Sequence, residues 1–353
     1  MAQSKIKKKI LFILPNLNYG GAEKVTINFF NNLNEKKFDK ELIIQGGKGP
    51  LGKKILKKKL IKYFQYNKFI SFIPCLIRYI KKKEPHYIYS TLSHVSFFLL
   101  LLRIIGLVKA KLIIRESNFI KKTIFASKNK FLLFLYYKIF YKKIDIVIAS
   151  SKTISNDIAK FTSLNKKKIF ILYNPVEKIF FNKKKYKNKK NIIRFLSIGR
   201  LTYQKNFQNM IKILSVFKNY NWELKIIGTG KEKNNLIKLI IELGLNNKIK
   251  IIDNCHNIFK EIANTDYYLI SSRWEGMPNA VIENIIMKKK IIFFNKIEVY
   301  SELKKLFRNQ VAYFKSSNNF FKKLYNFYII NNNKNFKLFD IDIISKKFSE
   351  ILI

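Results

Sequence analysis

Short apolar runs of strand length alternate with stretches of helical periodicity along most of this chain, and that alternation restricts it to α/β architectures. The first run is 10–14 (ILFIL), followed by a turn holding Gly20 and Gly21 and a helical pattern through Val25, Ile27, Phe29, Phe30 and Leu33. Further buried strands are expected at 41–45, 87–90, 111–115 and 144–150, with helices at 51–61, 69–82 and 131–141. Apolar strands separated by helices predict a parallel sheet covered on both faces. After the basic stretch 182–191 (NKKKYKNKKN) the pattern starts again. Strands are expected there at 194–198, 223–227, 249–252, 267–271 and 290–294, and helices at 207–217, 231–243, 258–263 and 280–287. A chain of 353 residues suits two such domains of about 150–180 residues each. They are expected at 1–177 and 178–338, both doubly wound and Rossmann-like, with the basic stretch as an exposed connection. Ligands of doubly wound sheets sit beyond the carboxyl ends of the strands, so two such domains facing each other form a cleft there.

The charge balance narrows the partners without naming one. Lys and Arg total 70 against 22 Asp and Glu, a formal charge of +48. Such an excess favours anionic partners: nucleic acid, an acidic membrane surface or phosphorylated substrates. It also accompanies abundant Ile, Asn, Phe and Tyr, the composition that an A·T-rich genome produces. Cys75 and Cys255 lie far apart with no pairing pattern, which points to a reducing compartment and buried thiols. The amino terminus is basic then apolar, but its apolar run is only strand-long and no small-residue cleavage site precedes Gly20. The longest apolar run, 95–102, stops at Arg103, short of the ~20 residues a spanning helix needs. A cytoplasmic location is expected.

Chemistry concentrates where strands give way to helices. Asn18-Tyr19-Gly20-Gly21-Ala22-Glu23 follows the first strand, and its glycines permit a sharp turn and close approach of a ligand to the backbone. By itself this is a weak signal. Gly199-Arg200-Leu201-Thr202-Tyr203-Gln204-Lys205-Asn206 follows the first strand of the second set. A guanidinium there can grip phosphate bidentately, and Lys205 adds a point charge near a helix start. Arg200 carries more information than Lys205, because arginine is scarce in this chain and lysine is not. The segment 271–283 (SSRWEGMPNAVIE) sets Glu275 and Glu283 around a Gly276-Met277-Pro278 loop and a helix start at Asn279-Ala280. Carboxylates suit sugar hydroxyls, and the loop amides suit an anion. A retaining hydrolase would need its carboxyl groups ~5–5.5 Å apart, whereas eight positions along a helix rise ~12 Å. The two acids are therefore expected to hold different parts of one elongated ligand.

These residues resemble family 4 glycosyltransferases of the GT-B fold. The resemblance runs through Gly20-Gly21-Ala22-Glu23, Asn174-Pro175-Val176, Gly199-Arg200-Leu201 with Lys205-Asn206, Ile227-Gly228-Thr229-Gly230, and Ser272 to Glu283, and so covers most of the chain. It implies a retaining enzyme that takes a nucleoside-diphosphate sugar, such as a UDP-sugar, as donor. Arg200 and Lys205 would hold the diphosphate and stabilise its departure, and Glu275 would contact the transferred sugar. Glu283 would contact the ribose, while Gly199 and the 276–280 loop would line the donor site. Gly20, Gly21 and Arg115 would face the acceptor side, with Arg115 standing where many relatives carry a histidine. No protein nucleophile, cofactor or metal is implied. The acceptor would be a glycan or a polyprenyl-linked glycan in surface polysaccharide assembly, such as capsule or lipopolysaccharide. The enzyme would sit peripherally on the inner face of the cytoplasmic membrane, and a last helix at 343–353 within the tail 339–353 would pack back on the first domain.

Other signals read more plainly. Asp340-Ile341-Asp342 matches a metal-binding DxD pattern but precedes a helix, where capping suffices. Gly228-Thr229-Gly230 is a strand-to-helix turn rather than a full dinucleotide fingerprint. His86, His94 and His256 show no ligand spacing, and His94 reads as structural. The segment 53–83 alternates lysine clusters with apolar residues at helical spacing, as an amphipathic helix on an anionic bilayer would. Rival readings are a basic nucleic-acid-binding protein, a GT-B-like binding subunit without catalysis, and a GT-B-type sugar epimerase. The first lacks any recognition motif, so no nucleic acid is expected among the partners.

Overall fold

A computed structural model describes residues 6–181, 192–253, 255, 257–314, 320, 324 and 334–353. The chain divides into two compact units, Met1–Pro175 with Leu338–Ile353, and Val176–Lys337. The basic stretch 182–191 lies outside the described residues.

In the first unit, β1 (Lys8–Leu14), β2 (Phe38–Ile44), β3 (Ile61–Tyr63), β4 (Tyr87–Ser90), β5 (Lys111–Glu116), β6 (Ile146–Ala149) and β7 (Ile169–Ile171) form one sheet. Its order is β3-β2-β1-β4-β5-β6-β7, and every pairing is parallel. Strand β1 shows why the run of apolar residues is needed. Alternate side chains leave opposite faces of a strand. Leu11 and Ile13 enter one core, and Ile10, Phe12 and Leu14 enter the other. On the second face, α1 (Gly21–Asn32) meets the terminal helix (Ile341–Ile351), whose Phe348 ring lies 4.7 Å from that of Phe29.

The second unit repeats the principle with β8 (Ile193–Ile198), β9 (Trp222–Ile227), β10 (Ile249–Ile252), β11 (Tyr267–Ile270), β12 (Lys290–Phe293) and β13 (Val311–Tyr313). The order is β10-β9-β8-β11-β12-β13, again parallel throughout. In both sheets the winding reverses beside the first strand of the unit, between β1 and β4 and between β8 and β11. That reversal opens a crevice at the strands' carboxyl ends.

Two helical expectations need correction. Residues 51–61 do not form a helix: they make 3₁₀ turns at Pro50–Lys54 and Lys58–Leu60, then strand β3. Gly49-Pro50 and Gly52 interrupt helical hydrogen bonding, and the Ile61–Tyr63 backbone completes the ladder of β2 instead. The amphipathic segment 53–83 is consequently not one membrane-lying helix. Only its second half is helical (Phe69–Lys83), and the apolar stripe Phe72, Leu76 and Ile80 is spent on the core. The 131–141 expectation resolves into α-helix Lys130–Leu135, a π turn over Tyr136–Phe140 and a 3₁₀ turn at Tyr141–Lys143.

Candidate functional site

The second unit collects the predicted donor-side residues around its reversal point. Strand β8 delivers Gly199-Arg200, and its neighbour β11 delivers Ser271 to Glu275, so adjacent carboxyl ends supply both charge types. Lys205, in the loop before helix Phe207–Ser215, forms an ion pair with Glu275, Nζ to Oε1 at 2.6 Å. The Ser272 hydroxyl donates to the same carboxylate oxygen at 2.8 Å. Glu275 is buried and Lys205 half-buried, whereas Arg200 is exposed.

The two loops are stitched together. Arg273 N donates to Gln204 O at 2.8 Å, Gln204 Nε2 to Trp274 O at 3.0 Å, and Ser271 Oγ to Lys205 O at 2.9 Å. The Arg273 guanidinium lies 4.1 Å from the Tyr203 ring and donates to Tyr203 O and Asn206 Oδ1. Asn206 itself adopts a left-handed conformation at φ 51° to turn the chain into its helix. These contacts fix the Lys205 backbone relative to Glu275, so the ammonium's position does not depend on a long free loop.

Glycines leave the room the pair occupies. A Cβ on Gly199 would stand 2.9 Å from Lys205 Cε, so the lysine stem lies directly over that residue. A Cβ on Gly228 would fall 1.9 Å from Gly199 O, and one on Gly230 2.2 Å from Leu201 O. The Gly228-Thr229-Gly230 turn is therefore a backbone-to-backbone contact: Leu201 N donates to Thr229 O at 2.8 Å, and it braces the Arg200 loop.

Glu283 sits in helix Asn279–Ile286 and is buried, as are Met277 and Pro278 just before that helix. Gly276 is buried too, while Asn279 and Ala280 are half-buried at the helix start. Tyr268, on β11, reaches across to the end of β8. Its hydroxyl donates to Ile198 O at 3.1 Å. Burial pushes that hydroxyl far above the ordinary tyrosine range, and the nearby Glu275 and Glu283 carboxylates push it further. Sequence reasoning did not single out Tyr268, or Asn295, whose Nδ2 donates to Ser271 O at 2.5 Å and to Ser272 O at 3.3 Å. A polar residue just past a strand, in register with a motif loop, is the signal that could have found Asn295.

The acceptor-side candidates in the first unit behave differently. Gly20 and Gly21 do follow β1 at its reversal point, but Gly20 is extended. A Cβ there would lie 1.9 Å from Glu23 Oε2, the far end of a flexible side chain that can move aside, so the backbone does not demand glycine at this position. Arg115, at the end of β5, is fully buried, and its Nη2 donates to Asn174 Oδ1. Asn28 Nδ2 donates to Pro175 O at 3.2 Å. The side chain offered as an acceptor contact is instead withdrawn from solvent and anchors the Asn174-Pro175 segment where the unit ends. Beside it Glu116 is buried and accepts from Tyr141 at 3.1 Å and Tyr137 at 3.2 Å. Burial raises its carboxyl to about 7, partly offset by those hydroxyls.

The remaining signals settle simply. Asp340 Oδ1 accepts from Asp342 N at 2.9 Å and Ile343 N at 3.3 Å, capping the terminal helix. His94 packs edge-on against Phe69 at 5.5 Å, and burial lowers its pKa. His86 Nδ1 accepts from Lys9 N, and His256 lies outside the described residues. Among the described residues no group of three or more His, Cys, Asp or Glu could hold a metal ion, and no helix is long and apolar enough to cross a membrane. Cys75 and Cys255 are unpaired.

Comparison with known proteins matches both units. The family "Glycosyltransferase Family 4" matches residues 19–178 and the family "Glycosyl transferases group 1" residues 177–336. The chain is 28% identical over 316 residues to the capsular polysaccharide biosynthesis glycosyltransferase CapH of Staphylococcus aureus, covering 85% of this chain and 84% of that protein. It is 30% identical over 200 residues to the N-acetylgalactosamine-N,N'-diacetylbacillosaminyl-diphospho-undecaprenol 4-alpha-N-acetylgalactosaminyltransferase of Campylobacter jejuni, covering 55% of this chain. The chain spans about half the length of that protein and of another relative, 53% and 42%. The crystal structure of HepE from Anabaena in complex with UDP-glucose superposes with a TM-score of 0.80 at 16% identity, over 98% of this chain and 99% of that one, a likeness of GT-B fold.

Proposed function

We propose that this chain, which belongs to the group 1, family 4 glycosyltransferases and has relatives in bacterial capsule and polysaccharide biosynthesis, transfers a sugar from a nucleoside-diphosphate donor to a glycan or lipid-linked glycan. The observation that carries the reading is the Lys205–Glu275 pair beside exposed Arg200 at the β8/β11 reversal point. In this reading Arg200 takes the donor diphosphate through its guanidinium fork. Lys205, already aimed by Glu275, adds a second cation where charge develops as the sugar–phosphate bond breaks. Glu275 accepts hydrogen bonds from the transferred sugar, and Glu283 from the ribose.

The sugar's anomeric C–O bond to the β-phosphate breaks, and its electron pair leaves with the nucleoside diphosphate. The acceptor oxygen bonds to the same carbon, and its proton passes to the departing phosphate. Attack from the same face retains the anomeric configuration and needs no protein nucleophile. The two cations supply the charge stabilisation that a metal supplies elsewhere, so the reaction is expected to proceed in EDTA. A UDP-sugar donor is supported by the UDP-glucose complex of the HepE fold relative, and a polyprenyl-linked acceptor by the diphospho-undecaprenol substrate in the Campylobacter enzyme's name.

The test is a thermal-shift panel of nucleotide sugars followed by release of free nucleoside diphosphate with a lipid-linked glycan acceptor. One donor raising the melting temperature and yielding product with EDTA present is expected. Binding without turnover across donors and acceptors would favour a catalytically silent binding subunit. Turnover without any acceptor would favour an epimerase.

A further inference from the structure

The first unit carries an apolar surface that its own fold leaves uncovered. Residues 119–143 include helices Ile120–Ala126 and Lys130–Leu135 and the π turn Tyr136–Phe140. The inward side is fully occupied: Leu133, Tyr136, Tyr137 and Tyr141 are buried in the core. The outward side is apolar as well. Phe125 is 65% exposed, Phe131 72% and Leu132 48%, with Phe134 and Ile139 similar. A helix that is apolar all round belongs in a protein core or in lipid, yet this one lies at the surface. Two local groups of contacts lie on this side. Lys130 Nζ lies 5.2 Å over the Phe125 ring, Phe134 meets Phe161 edge-on at 6.2 Å, and Lys138 Nζ lies 4.5 Å over Phe161.

The segment's own charge has one sign, although the Asp157 carboxylate from the neighbouring helix accepts from Ile120 N at 2.8 Å. Residues 119–143 contain seven lysines and no aspartate or glutamate, and Lys128, Lys130, Lys138, Lys142 and Lys143 are exposed. Aromatic and aliphatic side chains ringed by lysine match a bilayer interface, where rings enter the acyl boundary and ammonium groups meet anionic headgroups. A second copy of the chain would set this lysine ring against itself, at a cost in like-charge repulsion. Nucleic acid would satisfy the lysines but leave the phenylalanines in water.

We propose that the outward face of residues 119–143 docks this protein on an anionic lipid surface. The inference deepens the function above by giving the enzyme a way to reach a lipid-linked acceptor, and it rests on that reading for the acceptor alone. It also moves the membrane contact from segment 53–83, whose apolar stripe is spent on the core, to a face that is not.

Co-sedimentation with phosphatidylglycerol-containing vesicles and with pure phosphatidylcholine vesicles tests it. The intact protein is expected to bind the anionic vesicles at least about tenfold more tightly, less so at high salt. The triple variant Phe125→Ser, Phe131→Ser, Leu132→Ser is expected to lose about tenfold or more of that binding. Its melting temperature and its nucleotide-sugar binding should be unchanged, because the replaced side chains are largely in solvent. Equal binding by the variant overturns the proposal, as does a dimer or a DNA complex that the triple substitution abolishes while vesicle binding persists. Should the variant misfold, a polarity-sensitive fluorophore at Phe131→Cys, in a Cys75→Ser, Cys255→Ser background, replaces it. A blue shift on adding anionic vesicles supports the surface, and an unchanged spectrum overturns it. Retained nucleotide-sugar binding with no vesicle binding refutes this surface alone, whereas vesicle binding without any nucleotide-sugar binding refutes the catalytic reading alone.

Discussion

The carboxyl ends of the two sheets hold similar residues used in opposite ways. At the end of β5, Arg115 and Glu116 are both buried; the arginine holds Asn174 and the glutamate lies under two tyrosine hydroxyls. At the ends of β8 and β11, Arg200 stays exposed and Lys205 half-exposed, with Glu275 orienting the lysine rather than sealing it in. Charge at a strand end is therefore not in itself a site. The distinction lies in whether the charge is spent on the protein or held ready for something else.

That contrast can be broken from either side. Arg115→Ala removes a buried guanidinium, leaves Asn174 Oδ1 without its donor and opens a cavity. It should cost about 2–4 kcal/mol of stability, read as a lower urea midpoint. Arg200→Ala should leave that midpoint within about 0.5 kcal/mol while lowering turnover about 100- to 1000-fold, the scale for losing one pre-organised charge donor. A destabilised Arg200 variant with normal turnover would reverse the assignment of the two ends.

Glu116 sharpens the comparison through pH. Its carboxyl titrates near 7 in the folded protein, above the ordinary value of 4.5. The folded state thus binds more protons than the unfolded state between those values. Stability should fall as pH rises from about 4.5 to 7 and stay lower above it, by up to ~3 kcal/mol. Glu116→Gln should flatten that slope and raise the melting temperature at pH 8; denaturation curves at pH 5 and 8 check it. Gly199→Ala gives the smallest effect. The new methyl displaces the flexible end of Lys205 rather than backbone, so stability should hold while turnover drops several-fold, measured as kcat at saturating donor.

Much of this was legible before any coordinates. The long inner strands announce themselves because both faces are buried, which makes them continuous apolar runs. Strands β3, β7 and β13 were missed for a common reason. Each is a three-residue strand at a sheet edge, too short for periodicity and defined by pairing with a neighbour distant in sequence. The 51–61 segment failed likewise, since helical spacing of Leu51, Ile55 and Leu60 says nothing of the β2 edge waiting for Ile61. In the second unit, the Lys205–Glu275 ion pair joins two segments that residue type and spacing had singled out. The burial of Arg115 was not legible, because its partner Asn174 lies 59 residues away. Nor was the hydrogen bond of Tyr268 to Ile198 O, because a strand tyrosine looks the same whichever neighbouring strand its hydroxyl reaches.

The claim at the centre is that the β8 end recognises a diphosphate. Calorimetric titration of a nucleoside diphosphate and its monophosphate into the intact protein and Arg200→Ala tests it most directly. The diphosphate should bind more tightly to the intact protein, and the variant should lose most of that preference while binding the monophosphate nearly as before. An undiminished preference in the variant, or none in the intact protein, would contradict it.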